Sequence, residues 1–252
     1  MTIWLIGGTS ESRTITQQLT QQGIPWLVTV VSPTASRLYT GLPGPVQVGA
    51  LNTAAVAALI RRYSIRAIVD ASHPFATEIS KQAIATGLPY LRFERRLCTL
   101  EPPAESVPDL DTLFQPQYLE NRRVLLTLGI KSLHRFRPWQ PRAHLWARIL
   151  PTAQQQAIQA GFQPEQLICD RAPTHALAEQ TLWQHLGIDT VVTKASGGPG
   201  GVPLKLTAAK ALGVRLLVIA RPKLAYPQQT HELAEVVTFC RHTLEPERKY
   251  FE

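Results

Sequence analysis

Short runs of Val, Ile and Leu alternate along this chain with longer stretches in which apolar residues recur at helical spacing. A brief, continuous apolar run is the mark of a strand buried on both faces. Its alternation with amphipathic segments is the pattern of βα units around a parallel sheet. Residues 3–6, 26–31, 46–48, 67–70 and 89–93 read as strands. Residues 10–22 read as a helix, because Leu19 follows Ile15 on one face and Gly23 supplies a stop. Asn52 is placed to cap a helix through Arg62, whose Ala, Val, Leu and Ile positions form a stripe. Residues 75–86 predict another helix. Pro74 stands ahead of it, where a missing amide proton costs nothing, and Gly87 ends it.

Pro102, Pro103, Pro108 and Pro116 then interrupt every pattern, which marks residues 101–117 as a linker or domain crossing. A second series follows, with strands at 124–128, 144–149, 167–169, 190–193 and 215–219. Helices are expected near 152–160, 174–186 and 204–212, and a terminal helix over 230–242. The expected fold is α/β: two Rossmann-like domains with parallel sheets, residues 1–115 and 116–252. A cleft between their strand ends is the expected place for a ligand.

Composition narrows the function. No apolar run approaches the roughly 18 residues of a membrane span. Met1 leads directly into a strand-like run, without a basic segment or a small-residue cleavage site, so a soluble cytoplasmic protein is expected. Cys98, Cys169 and Cys240 are far apart and odd in number, and the histidines show no ligand spacing with them. Neither a disulfide framework nor a metal site is expected. The 26 basic residues against 18 acidic ones give a formal charge of +8, which favours an anionic partner. The arginines at 61–62, 95–96, 122–123, 135, 137 and 142 are scattered and lack aromatic interleaving. A polyanionic small molecule fits at least as well as nucleic acid.

Four strand ends carry the chemistry. Gly7-Gly8-Thr9-Ser10-Glu11-Ser12-Arg13 joins the first strand to the first helix, where backbone amides and the helix dipole favour a phosphate. It is not the Gly-x-Gly-x-x-Gly fingerprint, since Thr9 and Ser12 take the later glycine positions, so a plain tight turn is the competing reading. Ser32, Ser36 and Arg37 follow the second strand with no acidic residue, which suits the 2′-phosphate of NADP; a solvated arginine is the alternative. Asp70, Ser72 and His73 end the strand at 67–70. His73 reads as a general acid, a hydrogen-bond donor or a histidine without chemistry. The loop from Thr193 to Gly201 has four glycines from Gly197 onward. This composition implies either mobility or a close backbone approach to a ligand. Lys194 can pair with a phosphate or carboxylate there, and Ser196 can donate. No Gly-x-Ser-x-Gly elbow is present.

Taken together, Gly7 to Arg13, Val69-Asp70-Ala71-Ser72-His73-Pro74-Phe75-Ala76, Val192-Thr193-Lys194-Ala195-Ser196-Gly197-Gly198 and Lys205-Leu206-Thr207-Ala208-Ala209 resemble the precorrin-6A reductase family of corrin-ring biosynthesis. The order and spacing of these blocks match nearly the whole chain. The resemblance implies a reduced nicotinamide, NADPH or alternatively NADH, delivering hydride to a carbon–carbon double bond of a polycarboxylate tetrapyrrole-derived macrocycle. It assigns Gly8, Thr9, Ser10 and Glu11 to the pyrophosphate region, with Gly7 beside them among the cofactor-binding residues, and brings Ser72 and His73 to the cofactor or ring. Thr193, Lys194, Ser196 and Gly197 would close the site from the second domain. His73 and Lys194 are the candidates for direct catalytic roles, and no obligatory acid is implied. Leu97-Cys98-Thr99 departs from the family where a tryptophan is expected. Two alternatives stand beside this reading. One is another NADP-dependent oxidoreductase of a polyanionic small molecule, although neither Tyr63, Tyr90, Tyr118 nor Tyr226 has a lysine four residues on. The other is a non-catalytic nucleotide-binding protein.

Overall fold

The computed structural model describes residues 1–245 and divides the chain into two compact units. Strands β1 (Thr2–Ile6), β2 (Trp26–Val30), β3 (Val46–Val48), β4 (Ile65–Asp70) and β5 (Tyr90–Phe93) belong to the first. Strands β6 (Ala104–Val107), β7 (Arg123–Leu126), β8 (His144–Ile149), β9 (Leu167–Cys169), β10 (Thr190–Lys194) and β11 (Arg215–Ile219) form the second. The short β12 (Gln229–Thr230) returns to the first sheet. The sheet orders are β3-β2-β1-β4-β5-β12 and β9-β8-β7-β10-β11-β6, with every neighbouring pair parallel.

Both sheets are doubly wound. Strand order reverses between β1 and β4 in one and between β7 and β10 in the other, and the crevice at such a reversal is where open α/β sheets bind ligands. Register makes the first crevice specific: Ile6 lies beside Asp70, so the loops that follow β1 and β4 leave the sheet side by side.

Alternation along β1 builds two core layers. Ile3 and Leu5 pack with Ile15, Leu19, Val236 and Cys240 on one face, while Trp4 and Ile6 pack with Val56, Leu59 and Ala83 on the other. The indole of Trp4 is fully buried and donates to Thr29 Oγ1 at 2.9 Å, so its polar edge is satisfied. In the second unit Leu125, Val191, Leu216 and Val218 pack on Trp183, Ala208 and Ala209. Among the described residues no helix is long and apolar enough to cross a membrane.

The division of the chain differs from the expected one. It falls at Arg95–Arg96 rather than at residue 115, and the segment from Lys223 belongs to the first unit. Two contacts explain this. Ala104 to Val107 pair with β11, so the proline-rich stretch carries an edge strand of the second sheet rather than a linker. Helix Leu233–Leu244 buries Val236 and Cys240 in the first core, and β12 extends that sheet beside β5. The helix expected from residue 75 starts at Thr77, because His73 to Ala76 close a turn in which the Ala76 amide donates to the His73 carbonyl at 2.8 Å.

Candidate functional site

The loop after β1 is held from three sides. The Gly7 amide donates to Thr29 O of β2 at 2.9 Å, and the Gly8 amide donates to the Tyr39 hydroxyl at 2.8 Å. Thr9 caps helix Ser10–Gln21 reciprocally: its hydroxyl accepts from the Ser12 amide, and its own amide donates to Ser12 Oγ. The Thr9 hydroxyl also donates to Ala71 O at 2.7 Å, which ties the loop after β1 to the loop after β4. These bonds use the amides of Gly7, Gly8, Thr9 and Ser12. Among the described residues the Ser10 amide is left without an acceptor at the positive end of the helix, while the Glu11 amide faces its own carboxylate.

The two glycines have different reasons. Gly8 sits at φ 97°, where a side chain is strained. Gly7 is required by packing, since a Cβ there would lie 2.3 Å from the Tyr39 hydroxyl and 2.5 Å from a Val28 methyl. Tyr39 is buried, and burial raises its pKa against the hydrogen bonds of Gly8 and Ser12. Gly7→Ala is therefore expected to cost about 1–3 kcal/mol of stability by overpacking, read as a fall in the urea midpoint with an unchanged slope.

Glu11 faces Arg95 in a two-point ion pair, Oε1 to Nε at 2.5 Å and Oε2 to Nη2 at 2.8 Å, and the Ser10 hydroxyl donates to Oε2 at 2.9 Å. Burial acts to raise the Glu11 pKa, but the Arg95 bond and charge, a backbone bond and Ser10 bring it below the ordinary value. The carboxylate is thus neutralised beside the open Ser10 amide. Ser32 and Arg37 are exposed beyond β2; the Ser32 hydroxyl accepts from the Ala35 amide and caps helix Pro33–Ser36.

The end of β4 holds a buried ionic cluster that sequence reasoning missed. Asp70 Oδ1 accepts from the Ser72 amide and from Arg92 Nη1, both at 2.9 Å. Its Oδ2 accepts from Ser80 Oγ at 2.5 Å and from the Tyr90 hydroxyl at 2.6 Å. Arg92 is fully buried; it also donates to Ser72 Oγ, Ser72 O and Glu94, and lies over the Tyr226 ring. Burial would lower the Arg92 pKa, but Asp70 and Glu94 raise it further, so the guanidinium stays charged. Burial and the Asp70 carboxylate push the Tyr90 hydroxyl far up, so it stays a donor. The structure therefore uses Ser72 to fix the turn from which His73 projects. The His73 Nδ1 accepts from the Phe75 amide at 3.2 Å, which fixes the ring on the turn.

In the second unit the matching reversal lies between β7 and β10. Lys194 Nζ donates to Leu128 O at 2.6 Å, and burial, with Lys131 nearby, lowers its pKa. Thr193 and Ser196 are buried, and the Ser196 amide donates to Lys194 O at 2.6 Å. The glycine loop has a defined turn rather than the loose form its composition allowed. Gly197 takes φ 74°, ψ −167°, a region open essentially to glycine, and a Cβ on Gly200 would meet Ser196 Cβ at 2.2 Å. Lys205, itself buried, donates to the carbonyls of Gly200 and Gly201 from the helix that follows. Behind it Arg148 and Glu179 form a buried two-point pair at 2.7 and 2.8 Å, and the Trp183 indole donates to the same carboxylate.

A doubly wound sheet with a helix amide open at its reversal, followed by a second sheet of the same winding with a lysine at its own, defines an α/β protein whose strand ends suit anionic ligands. The family model described as "Precorrin-6x reductase CbiJ/CobK" matches residues 2–241, so the chain belongs to that family. It is 44% identical to a cobalt-precorrin-6A reductase of Synechocystis sp., over 96% of this chain and 97% of the relative. It is 32% identical to a precorrin-6A reductase of Rhodococcus erythropolis, over 90% of this chain and 92% of the relative. A solved structure titled "CobK precorrin-6A reductase" superimposes with a TM-score of 0.75 at 25% identity, covering 98% of this chain and 99% of that one.

Proposed function

We propose that this chain is a cytoplasmic reductase that uses NADPH to reduce a carbon–carbon double bond of cobalt-precorrin-6A in corrin biosynthesis. The family is one of precorrin reductases, so the chain is an oxidoreductase of that pathway. The cobalt-loaded ring is favoured by the name of the relative at 44% identity. The observation that carries the cofactor assignment is the acceptor-free Ser10 amide at the start of the helix that follows β1, at the first sheet's reversal. Gly8 brings the backbone close enough for a pyrophosphate, and Arg95 cancels the one carboxylate that would repel it.

The reduced nicotinamide supplies the hydride when bound, so the protein need only align donor and acceptor and exclude water. Ser10 binds through its amide, and Glu11 holds Arg95 beside it. The Asp70–Arg92 cluster orients His73 through Ser72, which sets the imidazole at the end of β4. Thr193, Ser196 and Gly197 shape the loop that carries Lys194, whose ammonium meets an anionic group. Ser32 and Arg37, exposed with no carboxylate at the end of β2, favour NADPH over NADH. Arg37→Ala should weaken NADPH binding by about fivefold to tenfold and leave NADH binding unchanged. Nicotinamide fluorescence titration reads both; equal loss for the two cofactors would remove Arg37 from the 2′-phosphate site.

The basic surplus suits a polycarboxylate, although part of it is structural. Arg135 pairs with Asp111, Arg142 with Glu120 and Arg215 with Glu105, while Arg123 binds the carbonyls of Leu186 and Gly187. The remaining cations steer the substrate, so its KM should rise several-fold, by about threefold to tenfold, between low and physiological salt. An unchanged KM would count against a polyanionic substrate.

A further inference from the structure

The second unit contains a cavity of about 290 Å³ at the carboxyl ends of β6, β11 and β10. Its walls are aliphatic: Leu97, Leu100, Val202 and Val218 line it, together with Cys98. Arg221, just past β11, supplies the guanidinium. We propose that this cavity is a substrate subsite that takes one carboxylate-bearing arm of the macrocycle, with Arg221 as its counter-charge and Cys98 on its wall. The inference rests on the proposed reductase function and adds the place where the ring's periphery is held.

Position, size and charge carry it. The ends of three adjacent parallel strands converge on the cavity: Ala195 and Ala220 follow β10 and β11, and their amides donate to Ile219 O and Val107 O. That is the sheet edge at which ligands of this architecture bind. A volume of about 290 Å³ lies just below the roughly 300–1,000 Å³ of pockets for whole drug-sized ligands, so it fits a part of a macrocycle rather than all of it. Arg221 Nε donates to Ala195 O at 2.7 Å, which holds the guanidinium plane beside the glycine loop. The guanidinium held in this way keeps a fixed positive charge at the cavity wall, the counter-charge a carboxylate needs. The aliphatic walls match the methylene stem of such an arm. Leu97 at the rim is 68% exposed, an apolar surface that a ring edge would cover. Leu97 and Cys98, in the segment that departs from the family's expected tryptophan, thus line the subsite.

Cys98 provides a direct reporter. Its thiol is partly buried, with a pKa raised by burial and drawn back by the Arg221 charge, whereas Cys240 is fully buried. In a full-length Cys169→Ser variant, maleimide labelling of Cys98 is followed by mass spectrometry at mildly alkaline pH, with cobalt-precorrin-6A or with NADPH alone. Saturating macrocycle should slow labelling by about tenfold or more, and NADPH alone should leave it unchanged. Arg221→Gln should raise the macrocycle KM by about tenfold or more while kcat stays within about threefold, and Arg221→Lys should recover part of the loss. Unprotected labelling, protection by NADPH alone, or an unchanged KM in Arg221→Gln overturns the subsite. The labelling arm uses native Arg221, so it stands even where Arg221→Gln folds poorly. Absence of turnover by the unaltered protein would instead overturn the reductase reading, which separates the two failures.

Discussion

Arg92→Ala is expected to lose about 3–5 kcal/mol of folding stability, the largest effect of any single change considered for this chain. Arg92 and Asp70 are both fully buried, and the pair sits under the end of β4 with Ser80, Tyr90 and the Ser72 amide around the carboxylate. Removing the guanidinium leaves the Asp70 carboxylate without its cation in a low-dielectric site, and it also takes one donor from each of Glu94, Ser72 Oγ and Ser72 O. A truncated cation costs more than the pair is worth, because the partner's desolvation is no longer offset. The double variant Asp70→Asn with Arg92→Met should therefore recover at least about 1 kcal/mol of the loss. Urea unfolding of the three proteins reads both numbers. A single-variant loss below about 1 kcal/mol would show that the cluster is hydrated, contrary to its burial.

The second large effect falls on catalysis. Lys194→Ala should lower kcat/KM for the macrocycle by about 10-fold to 100-fold, the loss of one charge-assisted hydrogen bond to an anionic group. The unaltered protein should also show an alkaline limb in kcat/KM below the range of a free lysine, since burial and Lys131 both favour the neutral amine. Raising the pH through that lowered pKa removes the ammonium, so activity falls on the alkaline side. Lys131→Gln removes the repulsion and should move the limb upward, a displacement that a purely structural lysine would not produce. Full activity in Lys194→Ala, or a limb indifferent to Lys131, would remove Lys194 from the site.

The elements that the sequence showed well are those whose burial is continuous. Runs such as 26–31 and 190–193 are central strands in which nearly every side chain is buried, and Thr9 and Asn52 sit at helix starts where their side chains accept backbone amides. What stayed hidden depends on distant partners. Ala104 to Val107 is an edge strand with one fully buried residue, so its composition resembles a loop. Helix Leu233–Leu244 was visible as a helix, but nothing local says that it packs on the first core after the chain has built the second.

The candidate site divides in the same way. Gly7, Gly8, His73 and Lys194 stand at strand ends and announce themselves by position. Arg92 lies 22 residues from Asp70 and reads as one basic residue among many until β4 and β5 pair. Tyr39, which shapes the turn after β1 by occupying the space above Gly7, is likewise invisible without the fold. Residues 197–201 show the converse: the glycines were conspicuous, and their tight turn became evident only from the contact between Gly200 and Ser196.

The central claim is reduction of a precorrin-6A-type macrocycle by a nicotinamide. Anaerobic incubation of the purified full-length chain with cobalt-precorrin-6A, and separately with the metal-free ring, tests it most directly when nicotinamide absorbance and product mass are followed together. The predicted result is one nicotinamide oxidised for each macrocycle that gains two hydrogens, faster with NADPH than with NADH and faster with the cobalt-loaded ring. Absence of macrocycle-dependent oxidation of either nicotinamide, on either ring, would contradict it.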